Sequence, residues 1–414
     1  MKAVQGELSM ETVQRVQPRA EAPRFSAHTR AIASEGAAGW AIADAAADAL
    51  ERGEDVVSLC LGDTSFDTPA RISEAAIQNL RAGRTHYAPV PGTAALRKNI
   101  ASAQSRFDGQ HWDADQVTVF AGAQNALFAA IMTVAGAGDE VLYLEPWYAT
   151  YEATIRAGGA IPRPVKTALE GDGAKITEAL LSAAVTPKTR AILLNSPNNP
   201  GGYVLSPADV QVVAGFAEKH DLWIISDEVY RSTVFDGEFL SAASLPGFRR
   251  RTIIVNSLSK SHAMTGWRVG WTIGPVEASV HLQNFAQCML FGSPTFVQDA
   301  AAVALAIDGD EEMHFFASEL CRRRDLMCAR LSEIPRLDFI RPAGGMFCFV
   351  NVSATGFSGV HFAERLFRSE GLAVVPGVAF GPNMDRFVRI SFSGSEDVIE
   401  EGMKRLGRFC ASLG

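Results

Sequence analysis

Lys260 is the residue of this chain with the clearest potential for chemistry. It follows the hydrophobic run Thr252–Val255, which we interpret as a buried strand, and it precedes a second strand-like run, Arg268–Gly274. An ammonium group is costly to desolvate, so a lysine at the end of a buried strand is expected to have a lowered pKa. Its neutral amine is then a usable nucleophile for a Schiff base. Taken alone, a lysine at this place is more often an exposed loop residue.

Side chains that could receive a phosphate group flank Lys260, namely Ser257, Ser259 and Arg268. A nucleophilic lysine beside phosphate donors suggests pyridoxal phosphate (PLP) as a cofactor. Free backbone N–H groups at the start of a helix also bind phosphate well. One turn between a strand and a helix could do so, although a single glycine there also fits an ordinary turn. That turn contains Gly122, Ala123 and Gln124.

Asp227 and Tyr230 lie just beyond another buried strand. Asp227 follows the run Trp223–Ser226, and Tyr230 comes three residues later. A carboxylate there can pair with a protonated pyridine nitrogen, which strengthens the ring of PLP as an electron sink. Asp227 also fits an N-cap of the next element. Tyr148 can stack on the ring, but each tyrosine taken alone is more often part of the core.

A turn rich in asparagine and proline, residues 195–202, follows a further buried strand. An asparagine there can donate to the ring hydroxyl of PLP, and a cis bond at Asn199–Pro200 fits this composition. An isolated turn of this kind is typical of structure alone. Arg389 interrupts an apolar strand, where its planar fork suits an α-carboxylate or an internal salt bridge.

The composition is that of an ordinary soluble globular protein. Of 414 residues, 47% are hydrophobic and 20% charged, and 38 basic against 46 acidic residues give a net charge of −8. This balance does not favour nucleic acid or an anionic membrane as a partner. The first residues lack the apolar core of a secretory signal, and no run is long enough to span a bilayer. Six scattered cysteines without a CxxC pair predict reduced thiols in a cytoplasmic protein, and we predict no metal site.

The order of the elements predicts an α/β fold. Continuous apolar runs alternate with helical patterns through the middle of the chain, which argues for a largely parallel sheet covered on both faces. Ligands bind at the carboxyl ends of such strands. After about Leu305 the pattern changes to that of a smaller α+β unit. We therefore predict an N-terminal arm that joins the small domain (1–55), a large cofactor-binding domain (56–305) and a small domain (306–414).

Together these residues resemble the class I (fold-type-I) PLP-dependent aminotransferase family. The resemblance extends from about Val56 to Phe392. It implies a fold-type-I PLP-transferase, with a large domain of mostly parallel sheet covered by helices and a smaller α+β domain. The motifs that carry it are, in order, Tyr87 to Gly92, Gly122-Ala123-Gln124, Tyr148, Asn199-Pro200-Gly201, Asp227 to Tyr230, Ser257-Leu258-Ser259-Lys260, Arg268 and Arg389.

The resemblance implies a role for each residue. Lys260 forms a Schiff base with PLP and then acts as the base in the 1,3-proton shift, while Asp227 pairs with the pyridinium. Asn199 and Tyr230 hold the ring O3′ hydroxyl, and Arg389 binds the substrate carboxylate with help from Asn199. The remaining contacts are a tyrosine stacked on the ring and the phosphate-binding residues, namely Tyr148, Gly122, Ala123, Gln124, Ser257 and Arg268.

The resemblance also implies a homodimer, in which Tyr87 and Ser293 complete the site of the neighbouring subunit. The chain departs from the family pattern in two turns. It has Gly62–Ser65 where the family often has Gly-Glu-Pro or Gly-Asp-Pro, and Asn199–Gly202 where Asn-Pro-Thr-Gly is frequent. Neither departure removes a required chemical group, so they bear on loop shape and substrate fit.

Within the family, several stretches are similar to arginine–pyruvate transaminases. A guanidinium substrate needs an acidic partner near the site, for which Glu35 and Asp63 are candidates, although each also fits a solvated carboxylate. Gly39 and Trp40 are candidates to contact the substrate, and the tryptophan also fits the core. The similar stretches are Gly36–Trp40, Ala121–Gln124, Asn256–Trp271 and Cys288–Pro294.

These inferences predict ping-pong transamination from an L-amino acid, arginine first, to pyruvate or another 2-oxo acid. The alternatives are an aminotransferase for aspartate, aromatic or other neutral amino acids, and a PLP-dependent carbon–sulfur β-lyase. The motifs do not separate these, because the cofactor supplies the carbanion that they share. A regulator that only senses PLP would need a DNA-binding module, and the first residues show no helix-turn-helix pattern. A structural protein that has lost activity is disfavoured by the intact lysine, aspartate and arginine.

Overall fold

Runs of buried apolar residues form most strands of a seven-stranded sheet, whose edge strand β4 (Ile161–Lys166) is largely exposed. The computed structural model describes residues 24–32, 39–167, 169–170, 173–306 and 310–413. The strands of this sheet are β2 (Val117–Phe120), β3 (Glu140–Glu145), β4 (Ile161–Lys166), β7 (Thr189–Asn195), β8 (Trp223–Asp227), β9 (Thr252–Ser257) and β10 (Gly270–Ile273). Their order is β2-β10-β9-β8-β7-β3-β4, and β10 runs antiparallel to both of its neighbours while the other pairs are parallel.

Helices cover both faces of this sheet because successive side chains of each strand point to opposite sides. Leu142 and Ile192 pack in one cluster with the helix at Pro207–Lys219, whereas Tyr143 and Leu193 pack in another with the helices at Ala123–Val134, Tyr151–Ala157 and Val276–Met289. The predicted coverage on both faces is thus confirmed. The helices of this part are α3 (Ala70–Arg81), α4 (Ala94–Asp108), α5 (Ala123–Val134), α6 (Tyr151–Ala157), α7 (Glu178–Ala184), α8 (Pro207–Lys219), α9 (Val276–Met289) and α10 (Thr295–Ala304).

A second, four-stranded antiparallel sheet lies in the C-terminal part of the chain. Its strands are β11 (Asp338–Ile340), β12 (Phe347–Asn351), β14 (Val375–Pro376) and β15 (Phe387–Ser391). Their order in the sheet is β11-β12-β15-β14, and the main core cluster beside it includes residues of three helices. The helices are α11 (Asp310–Ser332), α12 (Gly359–Glu370) and α13 (Glu396–Ser412).

The N-terminal segments contact both parts of the fold. Helix α1 (Ala27–Ile32) packs on α6, and His28 Nε2 lies 2.9 Å from the carbonyl oxygen of Ala157. Helix α2 (Ala41–Glu51) packs instead on α12, and β1 (Val57–Ser58) pairs in parallel with β13 (Leu372–Ala373). The remaining strands, β5 (Leu169–Glu170) and β6 (Gly173–Ala174), form a small hairpin. The domain limits at 55 and 305 stay a prediction.

Arg268 does not belong to the strand that we predicted from residue 268 onward. It has φ 53°, a left-handed backbone conformation, and β10 begins two residues later at Gly270. Left-handed backbone cannot continue a strand. The turn directs the guanidinium back towards Gly122, at the start of α5. Among the described helices, none is long and apolar enough to cross a membrane.

Candidate active site

One pocket collects most of the residues that the sequence singled out. It has a volume of about 170 Å³ and lies at the carboxyl ends of β7, β8 and β9, because parallel strands end at the same edge of a sheet. The predicted residues that line it are Ala123, Gln124, Tyr148, Asn199, Asp227, Tyr230, Ser257, Lys260 and Arg268.

The amine of Lys260 is held by a neutral group. Its Nζ donates to the carbonyl oxygen of Gly62 at 2.5 Å. Burial is the main cause that lowers the pKa of this amine, to about 8, and the cations Arg389 and Arg268 act in the same direction while Asp63 opposes them. A substantial fraction of Lys260 is therefore neutral and nucleophilic near pH 8.

Asp227 sits at the floor of the pocket as a buried carboxyl group. Burial raises its pKa to about 6, and the neighbouring Glu228 adds to this shift. Two donors oppose it. Tyr151 Oη donates to Oδ2 at 2.6 Å, and the backbone N–H of Val229 approaches Oδ1 at 3.5 Å. The carboxylate is thus ionised at neutral pH and can hold a proton on a ring nitrogen.

Tyr151 is a site residue that the sequence analysis missed. Its contact with Asp227 joins residues 76 positions apart, from α6 to the end of β8. The sequence feature that could have indicated it is the spacing of three residues from Tyr148, which places the two tyrosines on one side of a helical turn. The two rings meet edge to face, with centroids 5.7 Å apart.

Arg389 is a buried cation with no acidic partner among the described residues. It is 1% exposed, and burial lowers the pKa of its guanidinium to about 10. Its Nη1 donates to Asn199 Oδ1 at 2.9 Å and its Nη2 to the carbonyl of Cys60, while Nε has no hydrogen-bond partner among the described residues. No described carboxylate pairs with it, so the internal salt bridge considered above is not formed. A guanidinium left in this state fits a carboxylate ligand.

Aromatic rings enclose this guanidinium. The Cζ of Arg389 lies 4.1 Å from the ring centroid of Phe347, 4.8 Å from that of Phe380 and 5.4 Å from that of Trp40. These rings exclude water and interact favourably with the cation. A hydrogen bond made to Arg389 is consequently stronger than it would be in solvent.

The start of α5 provides an anion-binding corner. Gly122 has φ 85°, and a side chain there would collide with the guanidinium of Arg268. Gly270 is equally required, since a Cβ on it would meet the backbone of Gly122 and Ala123. The N–H groups at the helix start, Arg268 and the hydroxyl groups of Ser257 and Ser259 line the same pocket edge. This set fits a phosphate.

The side chain of Gln124 holds α5 against α6. Its amide bonds to Thr154 of α6 and to Thr150, the residue before that helix. Nε2 donates to Thr154 Oγ1 at 2.8 Å, and Oε1 accepts from Thr150 Oγ1 at 2.9 Å. Its backbone N–H remains at the helix start, whereas its side chain braces α5 against α6.

The pocket therefore matches the functional groups of PLP. A lysine with lowered pKa suits an aldehyde, a buried carboxylate suits a pyridinium, and the glycine-lined corner beside Arg268 suits a phosphate. Tyr148 lines the same pocket and can lie against a flat ring. Tyr230 packs on Phe347 with ring centroids 6.1 Å apart.

Other predicted residues lie outside this pocket. Tyr87 is 86% exposed and packs against Phe291, with ring centroids 5.2 Å apart. Ser293 is buried, and its hydroxyl has no hydrogen-bond partner in the part of the chain that the structure describes. Gly39 is buried where a side chain would collide with Ala379. Glu35 lies outside the described residues.

Comparison with known proteins agrees with this site. The family model for class I and II aminotransferases matches residues 54–406. The arginine–pyruvate transaminase of Pseudomonas aeruginosa is 46% identical over 392 residues, which is 94% of this chain and 99% of that protein. Aromatic-amino-acid aminotransferase 2 of Thermococcus litoralis is 38% identical, over 85% of this chain and 91% of that protein.

A solved structure shows the same fold. The N-succinyldiaminopimelate aminotransferase of Mycobacterium tuberculosis superposes with a TM-score of 0.87 at 31% identity, over 94% of this chain and 100% of that one. The match of family model, relatives and fold covers both sheets and the residues of the pocket. This chain therefore belongs to the class I and II aminotransferase family, whose members use pyridoxal phosphate.

Proposed function

We propose that this aminotransferase moves the amino group of an L-amino acid, arginine preferred, to pyruvate or another 2-oxo acid by a ping-pong mechanism. The observation that carries the proposal is one pocket with a nucleophilic amine at Lys260 and a carboxylate at Asp227. Beside it lies the cation of Arg389, which forms no ion pair with a described carboxylate. An amino acid brings an α-carboxylate and an amine, which are the two groups that these side chains accept.

When bound, PLP supplies an aldehyde carbon that takes up the donor's amine and a ring that accepts electrons from its α-carbon. Lys260 is the residue whose amine would hold the cofactor. Once a substrate amine has replaced it, the neutral Nζ would be free to take a proton from the donor's α-carbon and to deliver it to the cofactor carbon that carries the amine. With a pKa of about 8, this amine can gain and lose a proton close to neutral pH.

Asp227, Asn199 and Tyr230 would orient the ring. Asp227 keeps a proton on the ring nitrogen because its carboxylate is ionised above about pH 6. Asn199 carries an oxygen already fixed by Arg389, and Tyr230 lines the same wall. Since these groups stand in place before any ligand arrives, little reorganisation is needed on binding.

Arg389 would bind the α-carboxylate of donor and acceptor in turn. Its two Nη groups carry four N–H bonds, of which Asn199 and Cys60 each accept one. Its Nε–H has no partner among the described residues, so several donors remain for a carboxylate. The rings of Phe347 and Trp40 exclude water from this contact. The same subsite serves both half-reactions, as a ping-pong mechanism requires.

A cleft beyond Trp40 supports arginine as the donor. The cleft has a volume of about 370 Å³ and is lined by Trp40 together with two carboxylates, Asp44 and Asp63. Trp40 also lies against Arg389, so the cleft adjoins the place where the substrate carboxylate would bind. Two acids and an indole ring suit a guanidinium. The similarity to an arginine–pyruvate transaminase supports the same choice.

The exposed pair Tyr87 and Phe291 supports a homodimer. A tyrosine that is 86% exposed beside an exposed phenylalanine is unusual for a free surface. We propose that Tyr87 reaches the phosphate corner of a second subunit and that Ser293 lies close to the same interface.

Steady-state kinetics with arginine and pyruvate test the proposal. Alanine should form in step with 2-oxo product, and double-reciprocal plots at several pyruvate concentrations should be parallel. Intersecting lines would exclude the ping-pong mechanism. Turnover with aspartate or phenylalanine in place of arginine would keep the aminotransferase and change its donor. Release of pyruvate from cystathionine without an acceptor would identify a carbon–sulfur lyase.

A further inference from the structure

We propose that Tyr151 is a positioning residue, which orients the Asp227 carboxylate towards the ring nitrogen and supports Tyr148 against the ring face. It touches both residues. Its hydroxyl donates to Asp227 Oδ2 at 2.6 Å, and its ring meets that of Tyr148 edge to face at 5.7 Å. The inference rests on the role proposed above for Asp227.

The hydrogen bond fixes one oxygen and leaves the other for the ligand. Oδ2 is taken by Tyr151, whereas Oδ1 has a single long contact among the described residues, 3.5 Å from the N–H of Val229. Rotation of the carboxyl group would break the short bond. Asp227 lines the pocket, so Oδ1 is the oxygen available to a ring nitrogen.

Burial makes this bond strong. Tyr151 is 2% and Asp227 6% exposed, so water cannot replace the phenol as a donor. A hydrogen bond to a charged acceptor contributes more than one between neutral groups, and an unsatisfied buried carboxylate oxygen is costly. Loss of the hydroxyl therefore acts directly on the charge of Asp227.

Helix α5, whose first residues would bind the phosphate, also holds the backbone around Tyr151 in place. Tyr151 is the first residue of α6, and Gln124 of α5 bonds to Thr150 and Thr154 on either side of it. The helix that would hold the phosphate thus also sets the position of the phenol. Tyr151 in this way connects three contacts of the cofactor, at its phosphate, its ring face and its nitrogen.

A dependence on pH follows from the groups around Asp227. Those that face it are Tyr148, Tyr151, Tyr230 and Glu228. Of these, the Tyr151 hydroxyl is the side chain that lowers the pKa of Asp227. Without it, the carboxyl group is protonated at a higher pH, so Tyr151→Phe should impair ring protonation most below neutral pH and recover as pH rises.

The test compares Tyr151→Phe with Tyr203→Phe. Tyr203 is an equally buried tyrosine whose hydroxyl has no partner among the described residues, which makes it a matched control. PLP affinity of the apoprotein is measured by equilibrium titration, and the protonation of the ring nitrogen by its ¹⁵N chemical shift in labelled PLP. We expect about 10- to 100-fold weaker binding and a shift towards the unprotonated nitrogen for Tyr151→Phe at pH 7, with both unchanged for Tyr203→Phe.

Equal affinity and equal ¹⁵N shifts for the two variants would overturn the proposal. If Tyr151→Phe folds poorly, Tyr151→His and Tyr151→Leu replace it in the test. Tyr151→His keeps a ring donor, so the PLP ring nitrogen should stay more protonated in that variant than in Tyr151→Leu. Equal ¹⁵N shifts for these two variants would contradict the proposal. Asp227→Asn distinguishes a failure of the role proposed for Asp227 from a failure of the role proposed for Tyr151. If that variant leaves the ring nitrogen protonated, the role of Asp227 fails rather than that of Tyr151.

Discussion

Arg389 and Asn199 are separated by 190 residues, yet Nη1 of the arginine donates to Oδ1 of the asparagine at 2.9 Å. The arginine belongs to β15 of the four-stranded sheet, and the asparagine to the turn after β7 of the seven-stranded sheet. The carboxylate subsite that we propose would therefore be assembled from residues of both sheets.

Replacing Arg389 by lysine should weaken substrate binding. A lysine keeps the charge but loses the planar fork, and hydrogen bonds to charged groups contribute about 1.5–3 kcal/mol, so KM should rise about 10- to 100-fold for donor and acceptor alike. Steady-state kinetics measure this. Arg405→Lys is the control, because Arg405 is also buried but pairs with Asp55 and Glu401 away from the pocket. An unchanged KM for Arg389→Lys would place the carboxylate elsewhere.

Lys260 should react as an unusually acidic lysine in the apoprotein. Its pKa is lowered to about 8, so the neutral amine becomes the major form above that pH, whereas ordinary lysines need about pH 10.4. Labelling with an amine-selective reagent, followed residue by residue by mass spectrometry, should show reactivity that rises through pH 8 and then levels off. A profile for Lys260 that keeps rising to pH 10, as for exposed lysines, would contradict the effect of burial.

The two carboxylates of the cleft should matter for arginine and not for alanine. Asp44→Asn and Asp63→Asn each remove one charge at a partly solvated place, so each should raise KM for arginine about two- to fivefold, with little change for alanine. Asp48→Asn, also exposed and on α2, is a control because Asp48 does not line the cleft. A rise for both donors, or for neither, would remove these residues from side-chain recognition.

A mixed dimer should show whether Tyr87 serves the neighbouring site. Lys260→Ala removes the amine, and Tyr87→Phe removes the hydroxyl group that we propose reaches the phosphate of the other subunit. Subunits of the two variants reassociated together form a heterodimer with one site that holds both native residues. Activity above that of either variant alone supports the shared site. No recovery, despite dimers of both variants in sedimentation, would mean that Tyr87 serves its own chain.

Much of the site could be predicted because its residues end buried strands. Asp227 is the last residue of β8 and Lys260 lies three residues after β9, and parallel strands bring such positions together whatever lies between them. The prediction that Arg268 begins a strand was wrong, because a left-handed turn at a non-glycine residue does not alter the hydrophobic pattern of the sequence. The contacts of Tyr151 and of the Gln124 side chain could not be predicted, because they depend on how α5 and α6 pack. The local pattern of the sequence does not specify that packing.

The most direct test of the account is the absorption spectrum of the PLP-loaded enzyme as arginine is added without an oxo acid. An aminotransferase must complete this half-reaction alone, so we predict conversion to the pyridoxamine form and its reversal when pyruvate is added. Arginine that leaves the spectrum unchanged, while aspartate or phenylalanine converts it, would contradict the arginine assignment. No conversion with any of these donors would contradict transamination itself.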